Sequence, residues 1–324
     1  ARAYLTTSDG TVVFGAAARQ RPVECIASGP VNSIRGAGVL INDEESETIF
    51  VLDVGGTTTD VGVLVGKGKA RHVRQSNSDS RVAGVRTNNY VADVISIALG
   101  GGSEFKTTHF HTSSVGYQIT TKAVCCGGDT ATFTDVALAC LSLKHNVDDS
   151  WCSVKGEELR SKLTAQHGVS MEALLAAYRG ANQRVADLVS KLKTSQSSQG
   201  IKVILAGGGG ALLDAEMLAE MLELPADAVV NVEHMDVANA CGAGLGQVGA
   251  VLETTEEIPD VKEEGETEEA FSTKVAGLRA ALRARACAMA EEKGGVPGTG
   301  LVTQEEIAAI SFVQGHKKRV FIKA

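Results

Sequence analysis

Two aliphatic runs, residues 49–54 and 61–65, are largely β-branched and are separated by two glycines, three threonines and an aspartate. Runs this short and this apolar predict a pair of buried strands joined as a hairpin. Upstream, Ser8-Asp9-Gly10 signals a turn before a short strand at 11–14. Ser28 is placed to cap a helix with Pro30 in its first turn, and Gly36, Ala37 and Gly38 suit close packing on a sheet. An acidic loop at 42–47 leads into the hairpin, and Gly66-Lys67-Gly68 turns the chain into a further strand. From 86 to about 121 the alternation is interrupted by glycine. Helical spacing returns at 134–143 and 157–192, where Leu159, Leu163, Leu174, Leu175, Tyr178, Val185, Leu188 and Leu192 are available for buried faces. A polar loop at 194–199 precedes a strand at 201–206, then Gly207-Gly208-Gly209-Gly210 and a helix from about Ala211. A strand at 228–232 leads to a helix of small residues at 234–246, with Asp236 as its N-cap. The acidic, Pro- and Gly-containing stretch 253–269 reads as a solvated linker. An alanine-rich helix at 270–292, a turn at 294–300 and strands at 307–313 and 319–322 complete an α/β chain.

The chemistry of the hairpin lies in its turn. Gly55 and Gly56 lack a Cβ, so their backbone can approach a ligand and present successive N–H groups to an anion. Thr57, Thr58 and Thr59 add hydroxyls. Asp53 and Asp60 bracket the turn, and carboxylates beside a phosphate require a cation between them, most simply Mg²⁺. An ordinary tight hairpin with a polar tip is the plainer alternative. The strand, glycine turn and helix at 201–211 form a second nucleotide-like unit, whose glycines would let a purine or ribose lie against the backbone; a close-packed strand–helix corner is the alternative. Gly100-Gly101-Gly102-Ser103 is a further place where backbone meets a ligand, or else a loop.

Composition narrows the class without naming it. A chain of 324 residues with 44% hydrophobic content can bury a substantial core. A net charge of −8 without a basic stripe argues against a nucleic-acid surface. No signal-peptide pattern opens the chain, and no apolar run reaches the roughly 18 residues of a membrane span, so a cytoplasmic protein is expected. Seven cysteines without a Cys-x-x-Cys pair suit a reducing compartment. Adjacent Cys125 and Cys126 invite a redox or metal reading, but on a strand they would point to opposite faces as small hydrophobes. His109 and His111, at alternate strand positions, either share a cation or decorate an exposed face.

The segment Asp53-Val-Gly-Gly-Thr-Thr-Thr-Asp60 resembles a phosphate motif of the actin, hsp70 and sugar kinase superfold, and more narrowly the hydantoinase/oxoprolinase family. Ala27-Ser-Gly-Pro-Val-Asn-Ser-Ile-Arg-Gly-Ala-Gly38 is similar to the helix that precedes the hairpin in that family. Gly84-Val-Arg-Thr-Asn88, Asp93-Val-Ile-Ser-Ile-Ala-Leu-Gly-Gly-Gly-Ser103 and Gly127-Gly-Asp-Thr-Ala-Thr-Phe-Thr-Asp135 follow in family order. The resemblance, to a hydantoinase A-like subunit, covers nearly the whole chain. It implies an actin-like, ribonuclease H-like ATPase domain with a mixed sheet flanked by helices over 1–252. The acidic linker 253–269 and a small α+β segment, 270–324, would follow. Where the family carries Asp-x-His before its triple glycine, this chain has Asp93-Val-Ile95, which puts a metal site there in doubt.

For the intact family the implied reaction is ATP-dependent opening of a small cyclic amide, such as a hydantoin or 5-oxoproline, with phosphorylation activating the ring carbonyl. The resemblance assigns Asp53 to Mg²⁺, Asp60 to water or metal, and Gly55, Gly56, Thr57 and Thr58 to phosphate. Gly207, Gly208 and Gly209 would contact the adenosine of ATP. A subunit of an ATP-dependent ketone carboxylase and a non-catalytic nucleotide-binding or subunit-interaction module are the alternatives. Actin-like enzymes close their cleft with a second phosphate hairpin, and nothing in 1–42 resembles one. The chain is therefore expected to be the C-terminal part of a larger enzyme, with a missing N-terminal domain or partner subunit, and to be oligomeric.

Overall fold

The computed structural model describes residues 3–68, 71–76, 81–82, 85–86, 91–145, 147–194, 200–310 and 317–324. Most of the expected Gly84 block, the loop at 195–199 and the last part of the strand expected at 307–313 lie outside the described residues.

In chain order the elements are β1 (Tyr4–Thr6), β2 (Val12–Phe14), α1 (Gly15–Gln20), α2 (Ser28–Leu40), β3 (Thr48–Val54), β4 (Thr59–Val65) and β5 (His72–Val73). The short strands β6 (Arg81–Val82) and β7 (Val85–Arg86) precede β8 (Val94–Ile97), β9 (Ser103–Lys106) and β10 (His109–Ser114). Next come α3 (Ile119–Lys122), α4 (Phe133–Leu141), α5 (Gly156–His167), α6 (Met171–Leu192), β11 (Ile201–Ala206), α7 (Ala215–Leu222), β12 (Val229–Asn231) and α8 (Ala238–Gly244). The chain ends with β13 (Val251–Glu257), α9 (Glu268–Glu292), β14 (Gln304–Ala309) and β15 (Lys317–Lys323). Contacts divide it into two units, one of Ala1–Thr7, Thr11–Ile26 and Gly246–Ala324, the other of Ser8–Gly10 and Ala27–Leu245.

The larger unit is built on a mixed sheet in the order β12-β11-β3-β4-β5, with β8 also paired to β4. β12, β11 and β3 are parallel, whereas β4 runs antiparallel to β3, β5 and β8. Strand residues alternate faces, and here both faces are covered. Phe50, Leu52, Val54, Val61, Val63, Val203 and Leu205 join one core with residues of α4, α6 and α7. Ile49, Val51, Leu64, Ile204 and Ala206 join another with Val31, Ile34 and Ala37 of α2 and Ala238 of α8. This helix-flanked mixed sheet is the actin-like α/β arrangement expected from the sequence, and it explains why β3 is apolar at nearly every position.

Several local expectations are corrected. Ser28 does not cap α2, whose N-cap is Ala27 without a side-chain bond; Ser8 Oγ instead accepts from the Ala27 N–H at 3.1 Å. Gly38 does face the sheet at Leu64, but Gly36 packs on the backbone of α8. The helix expected over 157–192 is broken by Gly168, whose φ of 62° is left-handed, and restarts with Ser170 capping α6. Cys125 and Cys126 sit in a 3₁₀ turn rather than a strand, with their sulfurs 3.9 Å apart. Asp236 lies inside a 3₁₀ turn, and Val237 is the N-cap of α8.

In the smaller unit β1 pairs with β2, and β13-β15-β14 forms an antiparallel sheet. Leu252, Ile258, Leu282, Ala286, Val320 and Ile322 are the core under α9. The acidic stretch thus begins as a strand. Glu253 to Glu257 of β13 pair in register with Phe321 to Lys317 of β15, and Arg319 reaches Glu253, so basic residues of the partner strand offset the acidic ones. Among the described residues no helix is long and apolar enough to cross a membrane.

Candidate functional site

Asp53 and Asp60 face each other in the β3–β4 register, so their side chains emerge on the same face of the sheet, the one covered by α2. Beyond them Val54 pairs with Thr59, and Gly55 N–H donates to Thr58 O at 2.9 Å, closing a turn with Gly56 and Thr57 exposed at its tip. The carbonyls of this turn are held from behind. Gly101 N–H donates to Gly55 O at 2.9 Å and Gly102 N–H to Gly56 O at 2.7 Å. Among the described residues, no acceptor takes the N–H of Gly56 or Thr57, which leaves two donors where an anion can reach them.

The triple glycine buttresses this turn from behind and is not a free loop. Gly100, Gly101 and Gly102 are buried, and a Cβ at Gly100 would stand 2.6 Å from Thr57 N and 2.7 Å from Gly55 O. The next block supports this one. Thr134 donates to Gly101 O through both its N–H, at 3.0 Å, and its hydroxyl, at 2.9 Å. Thr134 is placed by a capping box in which Thr132 accepts from Asp135 N–H, while Asp135 accepts from Thr132 N–H and from Cys125 N–H. Family-like residues at 100–103 and 127–135 thus act through the turn's backbone.

The carboxylates are electrostatically poised. Burial raises the proton affinity of Asp53 above that of an ordinary aspartate, and the Asp60 charge raises it further, while a hydrogen bond from Ser33 opposes both. Asp60 is likewise raised by burial, against hydroxyl bonds from Ser96 and Thr58. Two desolvated like charges across one hairpin are unfavourable unless a proton or a cation lies between them. This donor set, all oxygen and doubly acidic, fits a hard divalent cation such as Mg²⁺.

The second glycine turn is brought directly against the first. Ala206 pairs with Asp53 in the parallel β11–β3 register, and the chain then turns at Gly207, with φ 76°. A Cβ at Gly207 would clash with Asp53 Oδ1 and stand 2.5 Å from Val54 O. Gly207 N–H donates to Met235 O, Gly209 N–H to Val54 O and Gly210 N–H to Gly207 O. Gly208 alone among the four is exposed. The helix expected from Ala211 begins only at Ala215, because 210–212 forms a 3₁₀ turn and Asp214 caps α7 by accepting from Met217 N–H. Tyr178 of α6 fixes this segment by donating to Leu212 O at 2.8 Å. Both turns lie at the carboxyl ends of parallel strands, where open α/β sheets place their ligands.

Other candidate ligands do not join this site. Asp93 is held by Arg74 at 2.8 Å. His109 and His111 are exposed on β10 with ring centroids 6.4 Å apart. Among the described residues one group could hold a metal ion, His145, Asp214 and Glu216, with donor atoms within 4.8 Å of one another. Asp214 is already engaged there as the helix cap, with Lys144 Nζ 3.7 Å away. Sequence reasoning missed Ser33 of α2 and Ser96 of β8, whose hydroxyls act on Asp53 and Asp60, and Asn239 of α8, which donates to Ser33 Oγ at 3.1 Å. Only their positions inside family-like segments hinted at a role for the first two.

The sequence profile described as hydantoinase/oxoprolinase matches residues 1–250. No curated protein matches the chain in sequence. Among solved structures, the nucleotide-free structure of acetone carboxylase, from a study of ATP-dependent acetone carboxylation, is similar with a TM-score of 0.66 and 16% identity, over 99% of this chain and 46% of that one. The ATP-dependent caprolactamase from Pseudomonas jessenii is similar with a TM-score of 0.61 and 18% identity, over 97% of this chain and 45% of that one. The likeness is one of fold, and the chain spans less than half the length of either protein.

Proposed function

The chain belongs to the hydantoinase/oxoprolinase family, and we propose that it is part of an ATP-dependent cyclic-amide hydrolase that activates a ring carbonyl by phosphorylation. One observation carries this reading: the paired carboxylates of Asp53 and Asp60, the open N–H groups of Gly56 and Thr57, and the Gly207–Gly210 turn meet at the carboxyl ends of β3 and β11. A structure under 20% identical that is named for ATP-dependent caprolactam chemistry supports the substrate class.

Bound Mg²⁺–ATP would supply a phosphoryl group for the amide oxygen, together with the charge neutralisation that phosphoryl transfer requires. Asp53 would hold the cation or its water shell, and Asp60 would orient water or share the cation. Gly55 shapes the turn, while Gly56 and Thr57 offer N–H donors to phosphate. The Thr58 hydroxyl is engaged by Asp60, so its contribution to phosphate is to fix that carboxylate or to exchange partners. Gly207 and Gly209 set the second turn against Asp53 and Val54, and exposed Gly208 offers a surface to the adenosine. The opposing half of the cleft and the amide-binding residues would come from a further domain or partner subunit in an oligomeric enzyme. Seven free cysteines are consistent with a cytoplasmic location.

A second reading, a subunit of an ATP-dependent ketone carboxylase, is favoured by the likeness to acetone carboxylase; bicarbonate-dependent ATP consumption with a ketone would select it. A nucleotide-binding module without turnover of its own accounts for a chain spanning less than half of its structural relatives. The first test is calorimetric titration of Mg²⁺–ATP into the chain and its Asp53→Asn variant. Loss of a charged partner costs about 1.5–3 kcal/mol, so the variant should bind roughly ten- to a hundredfold more weakly. Equal binding by the two would overturn the assignment of Asp53.

A further inference from the structure

The neighbouring thiols of Cys125 and Cys126 take no part in the nucleotide site, yet a chain of contacts leads from them to the phosphate turn. Their sulfurs are 3.9 Å apart in the 3₁₀ turn Val124–Cys126. Cys125 is fully buried, whereas Cys126 is half-buried and reaches solvent. Cys125 N–H donates to Asp135 Oδ1 at 2.6 Å, and Asp135 Oδ2 accepts from both the N–H and the hydroxyl of Thr132 at 2.7 Å. Asp135 is itself fully buried in the first turn of α4, so it fixes where that helix starts. The residue before it, Thr134, holds Gly101 O through two bonds, and Gly101 N–H holds Gly55 O. These contacts join the thiol pair to the turn whose Gly56 and Thr57 N–H groups are open to an anion.

The peptide that links the two cysteines is itself an anchor. Its carbonyl, Cys125 O, accepts from Ser153 N–H and Val154 N–H, each at 2.9 Å, and its N–H, on Cys126, donates to Ala123 O at 3.0 Å. A bond between the sulfurs would bring them to about 2.05 Å and close a ring through this peptide. Adjacent Cα atoms lie about 3.8 Å apart, short of the roughly 4.4–6.8 Å that a relaxed disulfide spans, so the ring is strained and its bond is easily reduced. The strain falls on a peptide whose carbonyl and N–H are both committed, next to the Cys125 N–H that holds Asp135. Strained, accessible disulfides are the labile and regulatory ones, the form such bonds take where thiols are otherwise kept reduced.

We infer that Cys126 and Cys125 form a thiol-modification site for a small disulfide of the glutathione class, and that closing their own disulfide loosens the phosphate turn through Asp135. The coupling rests on the reading of that turn as the phosphate-binding element. Cys126 reacts first because it reaches solvent, while burial, and after it the Asp135 charge, push the Cys125 thiol up and keep it protonated. Having lost its proton to solvent, Cys126 attacks one sulfur of the small disulfide. That S–S bond breaks, one half leaves as a thiolate that takes up a proton, and Cys126 carries the other half. Cys125 then attacks Cys126 Sγ and expels the second half, which departs with the Cys125 proton. Two protein thiols are oxidised and one small disulfide is reduced to two thiols.

The test is calorimetric titration of Mg²⁺–ATP into wild type and Cys126→Ser, each before and after equilibration with excess glutathione disulfide, with sulfur pairing read by peptide mass mapping. Oxidised wild type should lack two hydrogens on the peptide holding Cys125 and Cys126 and bind Mg²⁺–ATP about tenfold more weakly. A dithiol reductant should restore its affinity. Cys126→Ser should bind like reduced wild type under both conditions. A persistent glutathione adduct on Cys126, a bond to Cys152 instead, or no reaction would overturn the site. A Cys125–Cys126 disulfide with unchanged affinity, in a wild type that binds Mg²⁺–ATP, would overturn the coupling and leave the function standing. Loss of the cooperative thermal transition on oxidation would show a damaged fold and equally overturn the coupling. A reduced wild type that does not bind Mg²⁺–ATP would overturn the functional reading and the coupling together.

Discussion

Replacing Gly36 by alanine tests whether the α2–α8 crossing is a true backbone contact. The added Cβ would stand 2.7 Å from Ala238 C and 2.8 Å from Gly242 N, and closer still to Ala238 O. Carbon pairs are comfortable at about 3.5–4.0 Å, so the helices must separate by about 1 Å. No flexible side chain can absorb the movement, which places the cost near the upper end of overpacking, about 3 kcal/mol. The better helix propensity of alanine returns about 1 kcal/mol, leaving a net loss of about 2 kcal/mol. Two other glycines of α2 serve as controls with a similar propensity gain. A Cβ on Gly38 meets only the movable end of Leu64, and one on Gly29 meets nothing within 4 Å. Urea denaturation at constant m-value should rank Gly36→Ala far below wild type, Gly38→Ala near it and Gly29→Ala at or above it. The double variant Gly36→Ala/Gly242→Ala should lose less than the sum of its parts, because helices already parted no longer clash at the second site. A Gly36→Ala protein as stable as Gly29→Ala would refute the contact.

Two further predictions concern the turns and the carboxylates. Gly56 and Gly208 have nothing within 4 Å of where a Cβ would stand and no left-handed backbone, whereas Gly207 has φ 76° and a Cβ site blocked by Asp53 and Val54; in calorimetry Gly56→Ala and Gly208→Ala should weaken Mg²⁺–ATP binding about threefold or more without loss of stability, and unaltered affinity in both would remove them from the nucleotide site, while Gly207→Ala should lower stability and affinity together. For Asp60, burial raises the folded-state proton affinity, so its charge opposes folding above that raised value and the cost vanishes as pH falls towards the ordinary aspartate range near ~3.9. Without metal, Asp60→Asn should therefore be more stable than wild type at neutral pH and gain less on mild acidification, and a destabilised variant with an unchanged pH profile would contradict this sign. Asp43, held by Lys202 and Ser46 well below the ordinary range, acts oppositely: its stabilisation is complete above the ordinary value and is lost only at more acidic pH, so the two windows do not overlap.

The hairpin was legible because its signals are local. Aliphatic strands, a glycine pair and flanking aspartates lie within 49–65, and the register that pairs Asp53 with Asp60 follows from the turn length. The parallel strand β11 and its glycine turn were legible for the same reason. What was hidden depends on partners distant in sequence: Ser33 meets Asn239, and Thr134 meets Gly101. Helix starts were misplaced where a polar residue made a plausible cap but the chain used another device, as at Ser28, where Ala27 is anchored by Ser8, and at Asp236, which falls within a 3₁₀ turn. The strand β13 was obscured by its charge. Its acidic residues match basic residues 317–319 of β15, a complementarity that only the pairing reveals.

Glycine content alone does not distinguish a ligand-facing turn from a packed one, and the structure separates the two by what lies behind each residue. Gly100 to Gly102 are buried against the hairpin turn, and Gly207 and Gly209 against Asp53 and Val54, so these five bring backbone to backbone. Gly56 and Gly208 face outward with open space where a side chain would stand. A turn whose carbonyls are tied inward by other backbone groups presents its N–H groups outward in a fixed geometry, without the reorganisation that water would require around an anion. The buried glycines are thus as necessary to an anion site as the exposed ones. They let three separate segments converge closely enough to hold the turn rigid, with the Asp53–Asp60 pair one residue behind it to take the cation.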